Sequence, residues 1–121
     1  MALPSRFWAD LSTRDFAGLD AARTVAVLPV AATEQHGPHL PLSTDAVINE
    51  GVLHAALARL PDSTARSVLL LPTLTVGDSL EHSAFAGTVN VDGDALMALW
   101  FSIGRSVARA GVRKLVIFNS H

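Results

Sequence analysis

The 121-residue chain contains no cysteine, and that absence removes three kinds of chemistry at once. A disulfide framework, a thiolate nucleophile and a Cys-ligated zinc are all excluded. The chain also lacks any apolar run of the roughly 18–20 residues that a membrane helix needs. Its longest stretches, "SVLLLPTLTVG" and "ALMALWF", have the length of a strand or a core helix. The N-terminal "MALPSRFWADLSTRD" has no basic start followed by an apolar segment, so no signal peptide is read there. Neither G-x-G-x-x-G nor G-x-x-x-x-G-K-[ST] follows any candidate strand, and the glycines are scattered singly, which argues against a nucleotide-binding loop. The net charge of −2 is unclustered, and the densest basic stretch, "RSVARAGVRK", reads as the polar side and end of a helix rather than a nucleic-acid footprint. These absences predict a soluble cytoplasmic protein with neither nucleic acid nor membrane as partner. No repeat, low-complexity tract or linker divides the chain, so residues 1–121 are read as one α/β domain.

What is present is apolar material. Half of the residues are hydrophobic and the mean hydropathy is +0.36. Small domains bury a limited fraction of their surface. Some of this material is therefore expected to meet another subunit, in a homo-oligomer, or a further part of the chain.

The apolar segments alternate in period. Ser12 or Thr13 can cap a short helix through "RDFAGLD", with Phe7, Trp8, Leu11 and Phe16 facing inward. "TVAVLPVA", residues 24–31, reads as a strand buried on both faces, in which Pro29 predicts a bulge or a place near the sheet edge. "STDAVINEGVLHAALARLP" opens on cap residues and places Ile48, Val52, Leu53, Ala56, Leu57 and Leu60 at helical spacing. "SVLLLPTLTV" reads as a second strand, and "GDSLEHSAFAGTVNVDG" as a long loop with a short strand at "GTVNV". Asp92 can cap a helix through "DALMALWFSIGRSVARA", which Gly111 ends, and "KLVIFNSH" is a third strand. Strands alternating with helices describe a mainly parallel sheet with covering helices.

In such a sheet, ligands bind at the carboxyl ends of the strands. Glu34 and His36 follow the first strand, Asp78, Glu81 and His82 the second, and Asn119, Ser120 and His121 close the third. Four of the five histidines and two of the three glutamates therefore converge on one edge. Glu34 and His36 lie two apart, on the same side of extended backbone. Asp45 sits at a helix N-terminus, where free amides and the helix dipole favour the ionised carboxylate. Carboxylates with imidazoles and no thiolate suit Zn²⁺ or Mn²⁺, and a carboxylate such as Asp45 can bridge two ions. Each residue taken alone has a plainer role. His36 could be a hydrogen-bonded loop histidine, Asp45 a helix-start residue, and His39 a buttress of the turn or a support to a ligand. His54 and Glu50 are read as structural and solvated. Only the combination of Glu34, His36, Asp45 and His121 favours a metal centre.

Three segments carry that combination in order: "EQHGPHLPLSTD", "EHSAFAGT" and a strand ending "NSH". Together they resemble the creatininase (creatinine amidohydrolase) family over nearly the whole chain. The resemblance implies a three-layer α/β/α fold and a two-metal hydrolase of amide C–N bonds, cyclic ones included. By its pattern, Glu34, Asp45 and His121 would hold one ion, and His36 with a bridging Asp45 the other. Activated water would then attack the amide carbon. Glu81 and His82 would have a pocket or supporting role. Members of the family run longer and continue past the histidine of the third strand, so the chain is expected to be truncated there. The remaining carboxylate ligand and part of the pocket are then expected beyond His121, with little activity from these residues alone. The leading expectation is a small cyclic amide such as creatinine as substrate. The alternatives are a family relative that trims a peptide in redox-cofactor maturation or deformylates a pyrimidine nucleotide, and a non-catalytic α/β binding or assembly domain.

Overall fold

The computed structural model describes residues 3–65 and 68–121. In chain order come a 3-10 turn at Trp8–Asp10, α1 (Thr13–Ala17), β1 (Val25–Val30), α2 (Thr44–Arg59), α3 (Asp62–Ala65), β2 (Val68–Leu70), a 3-10 turn at Leu80–His82, α4 (Gly93–Arg109) and β3 (Lys114–Asn119). The three strands are parallel, in the order β2-β1-β3. Parallel neighbours need long crossovers, and these carry α2 and α4.

Helices cover both faces because β1 is apolar on both. Ala26, Leu28 and Val30 pack with Val107 of α4 and Val112, and Trp100 and Ile103 lie against the same cluster. Val27 points the other way, to Leu53 and Leu57 of α2 and to Leu70. Alternation along one strand thus builds the three α/β/α layers. Ser12 caps α1 with a capping box to Asp15, and Gly111, at φ +90°, follows the end of α4.

Several details differ from the sequence reading. Pro29 lies in the central strand, paired with Phe118, and not near the sheet edge. The irregularity it demands falls on the neighbouring chain. Regular β1–β2 pairing ends at Val27↔Leu70 and returns only as a Val30↔Leu74 bridge. Three steps along β1 there face four on the other side, so β2 is short and the missing N–H of Pro29 costs no ladder bond. Ser67, the first residue of the expected second strand, lies outside the described residues. "GTVNV" forms only isolated bridges, Thr33↔Val89 and Gly77↔Asn90.

The inward stripe of α2 is rotated from the expected one. Its buried residues are Asp45, Ala46, Asn49, Leu53 and Leu57, whereas Ile48 and Val52 are 55% and 49% exposed and Ala56 is also exposed. Two hydrogen bonds from one polar side chain set that rotation. Asn49 Nδ2 donates to the Val30 carbonyl at 3.0 Å and to the Phe118 carbonyl at 2.9 Å, which ties α2 to the ends of β1 and β3. Near the N-terminus Phe7 is 38% exposed and edge-on to His54, while Trp8 packs on the core and against Phe16. The uncovered apolar surface foreseen from composition is present as Met97, Leu99 and Phe101 on α4 and Val116 and Ile117 on β3. Among the described residues, no helix is long and apolar enough to cross a membrane.

Candidate metal centre

From β1 the chain crosses to β2 on one side and then returns to β3 on the other. The order therefore reverses beside β1, and the crevice at the carboxyl ends of β1 and β3 is the place where α/β sheets bind ligands. Glu34 leaves β1 into that crevice and His121 leaves β3. Between them the loop doubles back. Glu34 N–H donates to the Leu42 carbonyl at 3.3 Å, and a His36↔Leu40 bridge closes the turn. This return delivers Asp45, in the first turn of α2, opposite Glu34.

The four residues singled out in the sequence do meet. His36 Nε2 lies 2.9 Å from Asp45 Oδ1, while His121 Nδ1 lies 3.6 Å from Asp45 Oδ2 and 3.2 Å from Glu34 Oε1. Ligand atoms about 2.1 Å from a tetrahedral ion stand about 3.4 Å apart, so these spacings suit shared coordination. The two oxygens of Asp45 face different imidazoles, as a bridging carboxylate requires. Two ligand-capable groups result, Glu34–His36–Asp45 and Glu34–Glu81–His121, each with its atoms within 4.8 Å of one another.

Hydrogen bonds behind the rings set their tautomers. His36 Nδ1 is 3.1 Å from the Glu34 carbonyl, and His121 Nε2 is 2.5 Å from the Asp78 carbonyl. A carbonyl only accepts, so each remote nitrogen carries the proton, and each near nitrogen is the one that could offer a lone pair to an ion held among the carboxylates. This is the backing that metal-ligating histidines almost always have. Gly77 makes the second of these bonds possible. A Cβ there would stand 2.8 Å from the Ala31 carbonyl oxygen and 3.4 Å from His121 Cδ2, so only glycine lets the segment carrying Asp78 come this close.

The charge balance calls for a cation. Glu34 and Asp45 are 5% and 7% exposed, and Glu34 Oε2 and Asp45 Oδ2 have no hydrogen-bond partner. Among the described residues no lysine or arginine forms an ion pair with either carboxylate. Each buried carboxylate thus keeps one unsatisfied oxygen and has only imidazoles beside it to offset its charge, against a desolvation cost on the order of several kcal/mol. A divalent ion relieves that cost, and the donor set fits one.

The same fields act on the histidines. The bond to the Glu34 carbonyl, followed by the charges of Asp45 and Glu34, holds the His36 imidazole above its ordinary value against some desolvation. For His121 burial is the largest influence and acts downward. The Asp78 carbonyl and the charges of Glu34, Asp45 and Glu81 together outweigh it, so this imidazole is raised as well. In the metal-free protein a raised imidazole adds stability that is full below the unfolded value of about 6.5 and is lost as pH rises through the folded value. Metal needs the deprotonated rings. Zn²⁺ affinity should therefore weaken steeply as pH falls through those raised values, and binding at pH 7 should release protons. Calorimetry in buffers of different ionisation enthalpy measures this directly; identical heats in all buffers would contradict it.

The remaining expected residues are placed less uniformly. His39 lies exposed over the Gly37 turn, outside both ligand groups. Glu81, on the 3-10 turn and 60% exposed, reaches the Glu34–His121 side. His82 Nε2 stands 3.8 Å from both Glu34 Oε2 and Glu81 Oε1. The sequence reading missed Gln35, Asn49 and Thr88. Gln35 N–H donates to Thr88 Oγ1 at 3.2 Å, and with the Thr33↔Val89 bridge it docks the second signature segment onto the first. The polar Asn49 in the apolar "AVINEGVL", one turn after Asp45, was the available signal for its buried role.

Fold and cluster define a three-layer parallel α/β protein with a candidate two-ion site at its switch point. The chain belongs to the creatininase family: the family described as creatinine amidohydrolase matches residues 9–121. It is 41% identical over 99 residues to the mycofactocin precursor peptide peptidase of Mycobacterium tuberculosis, covering 78% of this chain and 39% of the relative. It is 31% identical over 123 residues to the creatinine amidohydrolase of Pseudomonas putida, covering 97% and 45%. Among solved structures it resembles a manganese creatininase (TM-score 0.83, 32% identity, 97% of this chain and 46% of that one). A mutant creatininase of Zn-Zn type is equally similar (TM-score 0.82, 32% identity, 97% and 45%). The chain thus spans less than half the length of these relatives.

Proposed function

We propose that this chain carries the metal centre of an amidohydrolase that cleaves a peptide amide bond, of the kind performed by mycofactocin precursor peptide peptidases. In this reading Glu34, Asp45 and His121 would hold one divalent ion, and His36 and Asp45 would contribute to the second. When bound, such ions supply Lewis-acid polarisation of a carbonyl and activation of water. The chain's own residues do the rest. The Glu34 and Asp78 carbonyls orient the two imidazoles, and Asp45, in the first turn of α2, lies beside both of them.

The single observation behind the choice of substrate class is the 41% identity to peptide peptidases against 31% to a creatinine amidohydrolase. It displaces creatinine as the leading reading. Creatinine ring opening remains the second, supported by the likeness to solved creatininases across 97% of the chain. The two buried carboxylates, each with an oxygen that has no hydrogen-bond partner, count against a non-catalytic assembly domain, which has no use for them. The test is a parallel assay of the Zn- or Mn-loaded protein on mycofactocin precursor peptide, followed by mass spectrometry, and on creatinine, followed as creatine formation. Peptide turnover at least tenfold above creatinine turnover is expected. Creatinine turnover with an untouched peptide would reverse the assignment.

A further inference from the structure

Three histidines point toward the carboxylates, yet they are not backed alike. His36 and His121 have carbonyl oxygens behind them. His82 has the Gln35 side chain: its Nδ1 lies 3.0 Å from Gln35 Nε2. The orientation of that amide is set from its other end, because the Gly37 N–H, which can only donate, lies 2.8 Å from Gln35 Oε1. The oxygen must face Gly37, so the NH₂ group faces His82. An NH₂ group only donates. His82 Nδ1 therefore accepts, and the ring proton resides on Nε2, the nitrogen that faces the site.

That nitrogen has no lone pair in the ring plane to offer an ion. It is a donor. It stands 3.8 Å from Glu34 Oε2 and 3.8 Å from Glu81 Oε1, too far for a hydrogen bond to either, on a side chain 31% exposed at the crevice. Glu34 Oε2, nine-tenths buried and without a partner, marks the same spot from within.

We propose that Gln35 is a positioning residue that locks His82 in the Nε2-protonated form, making His82 a hydrogen-bond donor to an oxygen of the bound amide and not a third imidazole ligand. The donor role rests on the amidohydrolase reading; the tautomer does not. Gln35 lies between Glu34 and His36 in the first segment, and His82 belongs to the second segment. Their contact gives the docking of those two segments a chemical purpose, since it aims one N–H at the place where the first segment gathers its carboxylates.

Two-bond ¹H–¹⁵N correlation spectra of protein with ¹⁵N-labelled histidine read the tautomer directly, with the His82 signals identified by their loss in His82→Gln. The wild type should show an unprotonated Nδ1 and a protonated Nε2 for His82, above the pH at which the ring titrates. In Gln35→Glu the carboxylate keeps the Gly37 bond but turns an acceptor toward the ring, so the proton should move to Nδ1. A protonated Nδ1 in the neutral wild-type ring, or an unchanged pattern in Gln35→Glu, would overturn the proposal. A ring held only by packing would not switch tautomer in this way. Metal content supplies the second arm. His82→Gln should retain the wild-type number of ions while His121→Ala loses at least one; equal loss in both would make His82 a ligand and overturn the donor role. If the wild type itself binds no ion, the proposed function fails, and the tautomer spectra still decide the Gln35–His82 assignment.

Discussion

Asp45→Ala should strip the protein of both ions. Asp45 places one oxygen 2.9 Å from His36 and the other 3.6 Å from His121, so its carboxylate lies beside both imidazoles. Its loss removes a ligand from each position and one of two negative charges that offset the cations. Replacing His36 should weaken one position and leave Glu34 and His121 to hold an ion at the other. Replacing the exposed His39 should change affinity by less than tenfold, below the 10–100-fold that direct supports of ligands usually contribute. Elemental analysis after gel filtration distinguishes these outcomes. Near-zero metal is expected for Asp45→Ala, about half for His36→Ala, and the full complement for His39→Ala. Undiminished metal in Asp45→Ala would remove the bridging assignment altogether.

How much of this was legible beforehand depends on the range of the interactions. The three strands and two main helices follow from apolar periodicity, which local sequence carries. The gathering of Glu34, His36, Asp45 and His121 follows from one rule about the carboxyl ends of parallel strands. The facing of α2 did not follow, because periodicity counts Ile48 and Val52 as core and Asn49 as surface. Two hydrogen bonds to strand ends reverse that order, and their partners lie 19 and 69 residues away. Pro29 is legible only in part: the bulge it predicts is there, opposite it in the pairing with the β2 segment, and the edge position is not. Its missing donor is accommodated by an extra residue in another segment, which the residues around Pro29 do not reveal. The substrate class is not legible in these residues, because a metal-ligand set can serve different substrates and does not choose among them. The tautomer of His82 depends on a Gly37 amide seen only once the turn is built.

Asn49 is the test of whether the buried polar group on α2 truly organises the site. Its side chain is fully buried, and its Nδ2 holds the Val30 and Phe118 carbonyls, at the ends of the two strands from which Glu34 and His121 depart. The Val30 carbonyl keeps the Ser120 N–H at 3.0 Å whatever stands at 49, so truncation does not orphan it. Asn49→Ala then loses two hydrogen bonds and leaves a small void, for a cost of about 2–3 kcal/mol. Asn49→Asp is nearly the same shape and should be worse, at about 3–5 kcal/mol at pH 7, because it buries an unpaired carboxylate against two carbonyl oxygens. The two variants also differ in pH dependence. The introduced acid would have its folded pKa raised above the unfolded value of about 3.9, since only the neutral form can donate to a carbonyl. Its penalty is therefore complete above the folded value and shrinks as pH falls toward the unfolded one, whereas the alanine penalty stays level. Urea unfolding of the three proteins at pH 7 and pH 5 measures both effects, taken as differences from wild type so that other titrations cancel. Metal affinity should fall in step with stability, because the strand ends that carry Glu34 and His121 are no longer tied together. An Asn49→Asp protein as stable as wild type at pH 7 would show that the amide only fills space, and the rotation of α2 would then need another cause.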